Sequence, residues 1–404
     1  MSAQSATAAT RWIDAAFVRG GTSKGLFFAE RALPPPGEQR DALFAGALGS
    51  PDPFGRQLDG MGGGISSLSK VMVVGEAGAA HAPADLVYTF GQVAVGVAAV
   101  DYSGNCGNLS AGVVPFALHT GLLSLPDGPR TVRLLNTNTG KRVVVNLVVE
   151  DGEAAVAGDF VVPGVAGAGS PIELVYPDPA GSRTAGQLPT GRPIDVLRST
   201  GREIEASLVD VALPLVVVRA ADLGLSGAES PDEIDAASGR AVELEALRRE
   251  AAVLMGLARS PEETPQAVPK VVCVAEPRDS RLLDGSLVAA DDADVLARTM
   301  SMGLAHRAVP GTAAMCLAAA AAIPGTLVEA IVRDRRPSER ALRIGTPSGV
   351  VTAGAVAERQ AAETGNGEVR DGVPVVTGAS LFRTARVLMS GRVSVPKRPA
   401  DDRP

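Results

Sequence analysis

Cys106 stands in the segment DYSGNCGN, residues 101–108, among glycines and asparagines and just ahead of an uncharged apolar stretch that begins near Leu109. A thiol at a helix N-terminus has its thiolate stabilised by the helix dipole and by N–H groups that lack intrahelical acceptors. Asn105 and Asn108 can donate hydrogen bonds to a substrate oxygen or cap the helix. The other cysteines, Cys273 in KVVCVAE and Cys316 in AAMCLAAA, lie inside apolar runs and read as structural. Cys106 therefore reads as the reactive thiol. A second group is Lys70, which closes the glycine- and serine-rich run DGMGGGISSLSK, residues 59–70, and opens the apolar run VMVV. A strand-edge lysine that faces a pocket loses its proton more readily when desolvated, and then serves as a general base. The plain alternative is an exposed strand-end lysine. The third segment is RGGTSKG, residues 19–25. Its hydroxyls precede its lysine and the long glycine-spaced loop of a nucleotide site is missing, which disfavours ATP. A Gly-Gly turn with free N–H groups can hold a carboxylate, with Thr22 and Ser23 as further donors and Arg19 and Lys24 as charges. A solvated turn between strands is the alternative for this segment taken alone.

Weaker candidates are Asn136 in NTNTG, Ser182 in DPAGSRT, and His306 just before the turn Gly311–Thr312. The three histidines have no ligand-like spacing, so no metal is expected. A formal net charge of -7 without a basic patch argues against nucleic acid. Three cysteines, odd in number and widely spaced, argue against a disulfide framework and for a reducing, cytoplasmic setting. The N-terminal stretch lacks the pattern of a secretory signal, and Ala313–Ile323 is too short to span a bilayer, so no membrane partner is expected.

These residues need elements to hold them. A chain of 404 residues exceeds one ordinary core, so two domains are expected. With 46 glycines and 29 prolines, short strands and many turns fit better than a helical bundle. Residues 131–162 read as a meander with turns at Asn138–Lys141 and Asp151–Glu153, and Asp85–Val95 as a half-buried strand. Glu243–Leu257 has helical spacing, Asp41–Leu48 reads as a second helix, and Gly164–Arg192 as a linker or functional loop. Gly104–Leu118 and Gly311–Gly325 are alike, each a glycine-rich turn followed by a small apolar segment. A helix without a polar face is buried all round, so the pair suggests two similar halves.

Taken together and in order, RGGTSKG, DGMGGGISSLSK and DYSGNCGN, with NTNTGK, DPAGS and GRPIDVL, resemble the PrpF family of cofactor-independent isomerases, from about Phe17 to about Gly391. That family includes 2-methylaconitate, methylitaconate and aconitate isomerases and 4-oxalomesaconate tautomerases. The resemblance implies an α+β, diaminopimelate-epimerase-like fold: two similar domains, each a β-barrel-like sheet wrapped around a central buried helix, with the active site in the cleft between them. It implies a first half over 11–192, completed by 380–395, and a second over 193–379. Lys70 and Cys106 match the family's acid/base pair. Arg19, Thr22, Ser23, Asn105, Gly107, Asn108, Gly311 and Thr312 are the expected substrate-binding groups. Only the first half offers a cysteine at the start of its central helix, which disfavours a symmetrical two-thiol racemase. Relatives often carry RIGHPSG where this chain has RIGTPSG, with Thr346. The implied reaction is a 1,3-proton shift that moves a C=C bond in an unsaturated di- or tricarboxylate, without a cofactor, in a homo-oligomer, a dimer in the first instance. A racemase or epimerase of the same fold, and a non-catalytic polyacid-binding accessory protein, are the alternatives.

Overall fold

The computed structural model describes residues 10–102, 106–199, 201–265, 268–301, 303–333, 341–358, 361–363, 369–371 and 374–396. Contacts divide the chain into two units, with boundaries at Leu174/Val175 and Phe382/Arg383. Residues 175–192, assigned to the first half from sequence, fall in the second unit, and 380–382 do so as well. The reason is the strand Ile172–Pro177, which lies inside the segment expected to be a loop and carries the chain across the boundary. Glycines and prolines on both sides hide its short run of alternating residues.

The first unit begins with a hairpin of β1 (Thr10–Gly20) and β2 (Ser23–Ala29). After helix α1 (Glu38–Leu48), β3 (Lys70–Glu76) runs parallel to β2, and β4 (Leu86–Val93) pairs antiparallel with β3. The short β5 (Val100–Asp101) pairs with the end of β4. The central helix comes in two pieces, α2 (Gly107–Ser110) and α3 (Val113–His119). Pro115 has no N–H to offer the carbonyl of Ala111, so the ladder breaks where the sequence suggested one continuous helix. β6 (Gly128–Asn136) returns parallel to β4, and β7 (Arg142–Glu150) pairs with β6. Beyond β7 the chain turns at Asp151 and Gly152, both at positive φ (52° and 77°), as an Asp-Gly hairpin turn requires. The C-terminal strand Ala385–Pro396 closes the sheet along the free side of β1.

The sequence GLFFA of β2 explains the layering. Successive side chains of a strand point to opposite faces. Phe27 meets Phe116 of α3 at 5.6 Å between ring centroids, and Phe28 meets Phe44 of α1 at 5.4 Å. Both faces of this strand are thus buried, and the sheet lies between α1 and the central helix.

The second unit repeats the plan. Strand 202–211 pairs antiparallel with 213–219, which is parallel to 270–275; 270–275 is antiparallel to 295–301, which is parallel to 341–346, itself antiparallel to 349–358. From β1 to β7 the first unit has the same succession of antiparallel and parallel pairs. The helices recur at the same points in the order. Arg240–Leu254 stands where α1 stands, and Gly311–Ala322 stands where α2 and α3 stand. The former is the helix expected over 243–257, bounded by Gly239 and Gly256 at positive φ. The latter is buried over Ala313–Ala321 at the centre of the unit's core. Among the described residues, no helix is long and apolar enough to cross a membrane.

Candidate active site

Lys70 is the first residue of β3 and is 9% exposed. Its Nζ donates to Gln92 Oε1 at 2.5 Å and lies 5.0 Å from the centre of the Phe90 ring, both on the neighbouring β4. The strand register sets Gln92 directly opposite Lys70. The glycine-rich run before Lys70 is tied down rather than free. Met61 and Gly62 donate to the carbonyls of Ala47 and Leu48 at the end of α1. The buried Gln57 side chain donates to Ser50 Oγ and Ser69 Oγ and accepts from Gly64 N. Ser69 Oγ in turn donates to Val93 O.

Cys106 is the N-cap residue of α2 and is half-buried. Ser110 holds its carbonyl with both backbone N–H and Oγ, at 2.9 and 3.0 Å. The amides of Gly107 and Asn108 open the helix and have no intrahelical acceptor. Just upstream, the Tyr102 carbonyl accepts from Asn138 Nδ2, whose own amide oxygen takes Phe90 N. Asn138 thus ties the approach to Cys106 to the strand that carries Gln92. Asn105 lies outside the described residues.

The β1–β2 hairpin packs against both groups. Its two-residue turn has Gly21 at φ 49°, the first central position, where a type II′ turn demands glycine. A Cβ on Gly20 would sit 2.3 Å from Asn108 O, and one on Gly25 would sit 2.3 Å from Lys70 O. Glycine at these two places lets the hairpin press its turn onto the start of α2 and its second strand onto the backbone of Lys70. Asn108 bridges the turn. Its Nδ2 donates to Thr22 Oγ1 at 3.0 Å, and its Oδ1 accepts from Arg383 Nε at 2.9 Å. Thr22 is exposed and Ser23 buried. Arg19 Nη1 donates to Gly21 O, Thr384 O and Thr384 Oγ1, which makes this side chain a latch between turn and C-terminal strand. Burial, and Arg386 nearby, lower its pKa.

The sequence profile of the PrpF protein family matches residues 10–396. The chain belongs to the PrpF family. Among its relatives in that family, the 2-methyl-aconitate isomerase of Shewanella oneidensis is 38% identical, over 95% of this chain and 97% of the relative. The 3-methylitaconate isomerase of Eubacterium barkeri is 38% identical over the same shares. A crystal structure of methylitaconate-delta-isomerase, 37% identical, superposes with a TM-score of 0.84 over 96% of this chain and 97% of that one.

The remaining expected residues of this PrpF-family chain have the following contacts within their own units. Asn136 is fully buried, and its Oδ1 accepts from Thr139 N and Oγ1 within its own turn. In the second unit, Ser182 Oγ donates to Asp210 Oδ1, one of several donors from loop 182–184 that surround this buried carboxylate. His306 Nδ1 accepts from Ala308 N, which only the neutral ring can do. Burial, with Lys270 nearby, lowers its pKa. Asn136, Ser182 and His306 thus hold turns. Gly311 and Thr312 open the helix Gly311–Ala322 after Pro310, the place that corresponds to Cys106. Cys316 is buried one turn further in, with its thiol on Val209 O. Thr346 is 1% exposed, and its hydroxyl donates to Gly349 O across the TPSG turn, so it closes a hairpin. Gln92, Phe90, Asn138 and Arg383 had not been singled out one by one. Of these, Asn138 lies inside NTNTG, the segment of the candidate Asn136.

Proposed function

We propose that this protein is a cofactor-independent isomerase that moves a C=C bond in an unsaturated di- or tricarboxylate of the methylaconitate, methylitaconate or oxalomesaconate kind. The observation that carries the reading is the shared footing of Lys70 and the Cys106 helix on one glycine-bearing hairpin, in a chain of the PrpF family. Lys70 as the free amine takes a proton from a carbon allylic to the double bond and α or γ to a carboxylate. The C–H electron pair spreads into a dienolate. The Cys106 thiol gives its proton to the far carbon of the allyl unit, and the double bond settles one position along. Lysine is then an ammonium and cysteine a thiolate, and one proton passed between them, directly or through water, restores both. The dienolate needs preorganised donors. Thr22 Oγ1 and the amides of Gly107 and Asn108 fill that role in this reading.

Proton NMR in deuterium oxide tests it. The protein, with nothing added, meets cis- and trans-aconitate, 2-methylaconitate, 4-oxalomesaconate and methylitaconate. Deuterium at an allylic carbon together with a new vinyl or methylene signal is expected for at least one. Lys70→Ala should abolish the first exchange. Cys106→Ser should leave slow exchange at the first carbon while blocking isomerisation. Folded protein that exchanges nothing in any of these compounds sinks the reading. Exchange at a stereocentre without double-bond movement turns it into an epimerase.

A further inference from the structure

The Gln92 side chain has two ends that face different groups. Nε2 donates to the carbonyls of Ser69, at 2.8 Å, and Ser66, at 3.1 Å. Turning the amide over would set Oε1 against two carbonyl oxygens, so the donor end is fixed there and Oε1 is held toward Lys70 Nζ. Ser69 is itself pinned by Gln57 and by Val93 O, so the support under Gln92 is rigid.

We propose that Gln92 is the positioning residue of Lys70: a neutral acceptor, locked in orientation, that fixes where the amine points without fixing its proton. The inference rests on the reading of Lys70 as the base and adds the group that sets that base's geometry. A free lysine amine has two N–H bonds and one lone pair around nitrogen. Holding one N–H on Gln92 stops rotation about the Cε–Nζ bond and confines the lone pair to the two remaining positions. A carboxylate at the same place would hold the amine too, but as its ammonium, since an opposite charge at contact favours the charged form. An amide gives the hydrogen bond without that charge. The Phe90 ring faces the nitrogen from a further side, 5.0 Å from its centre.

Charged groups lie on the elements packed around this contact. On β2, Lys24 Nζ lies over the Phe17 ring. Glu30 sits against Gly75 at the far end of β3. His119 of α3 pairs with Glu153. Asp101 on β5 is paired in register with Gln92. The contacts of Lys70 Nζ are those with Gln92 Oε1 and the Phe90 ring.

The test reads the proton on Lys70 directly. Trace acetylation of Lys70 with acetic anhydride, followed by peptide mass spectrometry from neutral to alkaline pH, is compared in wild type, Gln92→Glu and Gln92→Met. Both variants lose the Nε2 contacts, so the difference between them isolates the charge. The Gln92→Glu midpoint should lie about one to three pH units above that of Gln92→Met. Gln92→Met should lower kcat by up to about a hundredfold on the fastest compound of the exchange panel, with KM little changed, as a misplaced base does. Coincident midpoints, or wild-type kcat in Gln92→Met, overturn the inference while Lys70→Ala stays inactive. Full activity in Lys70→Ala overturns the base assignment itself, and this inference with it.

Discussion

Burial separates the three cysteines chemically. Cys273 and Cys316 are 1% and 0% exposed, and burial pushes the Cys273 thiol up to about 12 and the Cys316 thiol upward as well. Cys106 is half-buried. Iodoacetamide should therefore alkylate Cys106 alone in the native protein and all three in urea, with isomerisation lost in step with the first modification. Peptide mapping that finds native labelling at Cys273 or Cys316 would contradict this separation. At this scale the sequence marked Lys70 and Cys106 as the candidates, because a thiol among glycines and asparagines and a lysine closing a glycine run both stand out from their surroundings. Gln92 did not stand out. In YTFGQV it reads as one more polar position of an alternating strand, and its importance comes from the register that sets it against Lys70. Arg383 reaches Asn108 across 275 residues, a contact with no local trace. Thr22 and Ser23 looked equivalent as hydroxyls, and only the hairpin turn exposes one and buries the other.

The hairpin β1–β2 works as an element because it is thin where it touches its neighbours. In Gly20→Ala the new methyl group would meet the Asn108 carbonyl oxygen at 2.3 Å and Leu109 Cα at 3.1 Å, backbone atoms that cannot swing aside. The start of α2 must then move, and Cys106 with it. We expect a loss of about 1–3 kcal/mol in urea unfolding, the usual cost of overpacking, and a fall in kcat larger than the rise in KM. Unchanged stability and unchanged kcat would show that the hairpin does not position the helix. Elements were legible where the pattern was long: the pair β6 and β7, joined through the NTNTGK turn and followed by an Asp-Gly turn, and the helix Arg240–Leu254 both follow from periodicity and turn residues. The strand Ile172–Pro177 was not, since a run that short between prolines and glycines looks like a loop. The break in the central helix was visible in principle at Pro115.

For the molecule as a whole, the repeated plan was legible from two similar glycine-led apolar segments, although the boundary between the units was not. Each unit opens an equivalent strand on a lysine, Lys70 in one and Lys270 in the other, but only the first sets a thiol at the head of its central helix. The second unit holds instead a carboxylate whose stabilising contribution is lost in acid. Hydrogen bonds from Arg248 and Arg249 hold Glu245 at about 2, against 4.5 for the free group. A depressed carboxylate pKa stabilises fully above the unfolded value, and that contribution fades as pH falls from about 4.5 toward 2. Melting temperatures of Glu245→Gln should thus lie below wild type at neutral pH and converge on it toward pH 2. Parallel curves would remove Glu245 from the acid response.

The pairing of β1 with the strand Ala385–Pro396, from Gly20 beside Ala385 to Thr10 beside Pro396, also imposes an order on synthesis. A ribosome emits β1 early and its partner late. Residues 175–382 emerge as one unbroken stretch and can close their own sheet. Throughout that interval, on the order of 10–40 s at roughly 5–20 residues per second, β1 is an open sheet edge on the nascent chain. Such edges recruit strands from other chains, so the period before Ala385 emerges is when this protein most needs a chaperone.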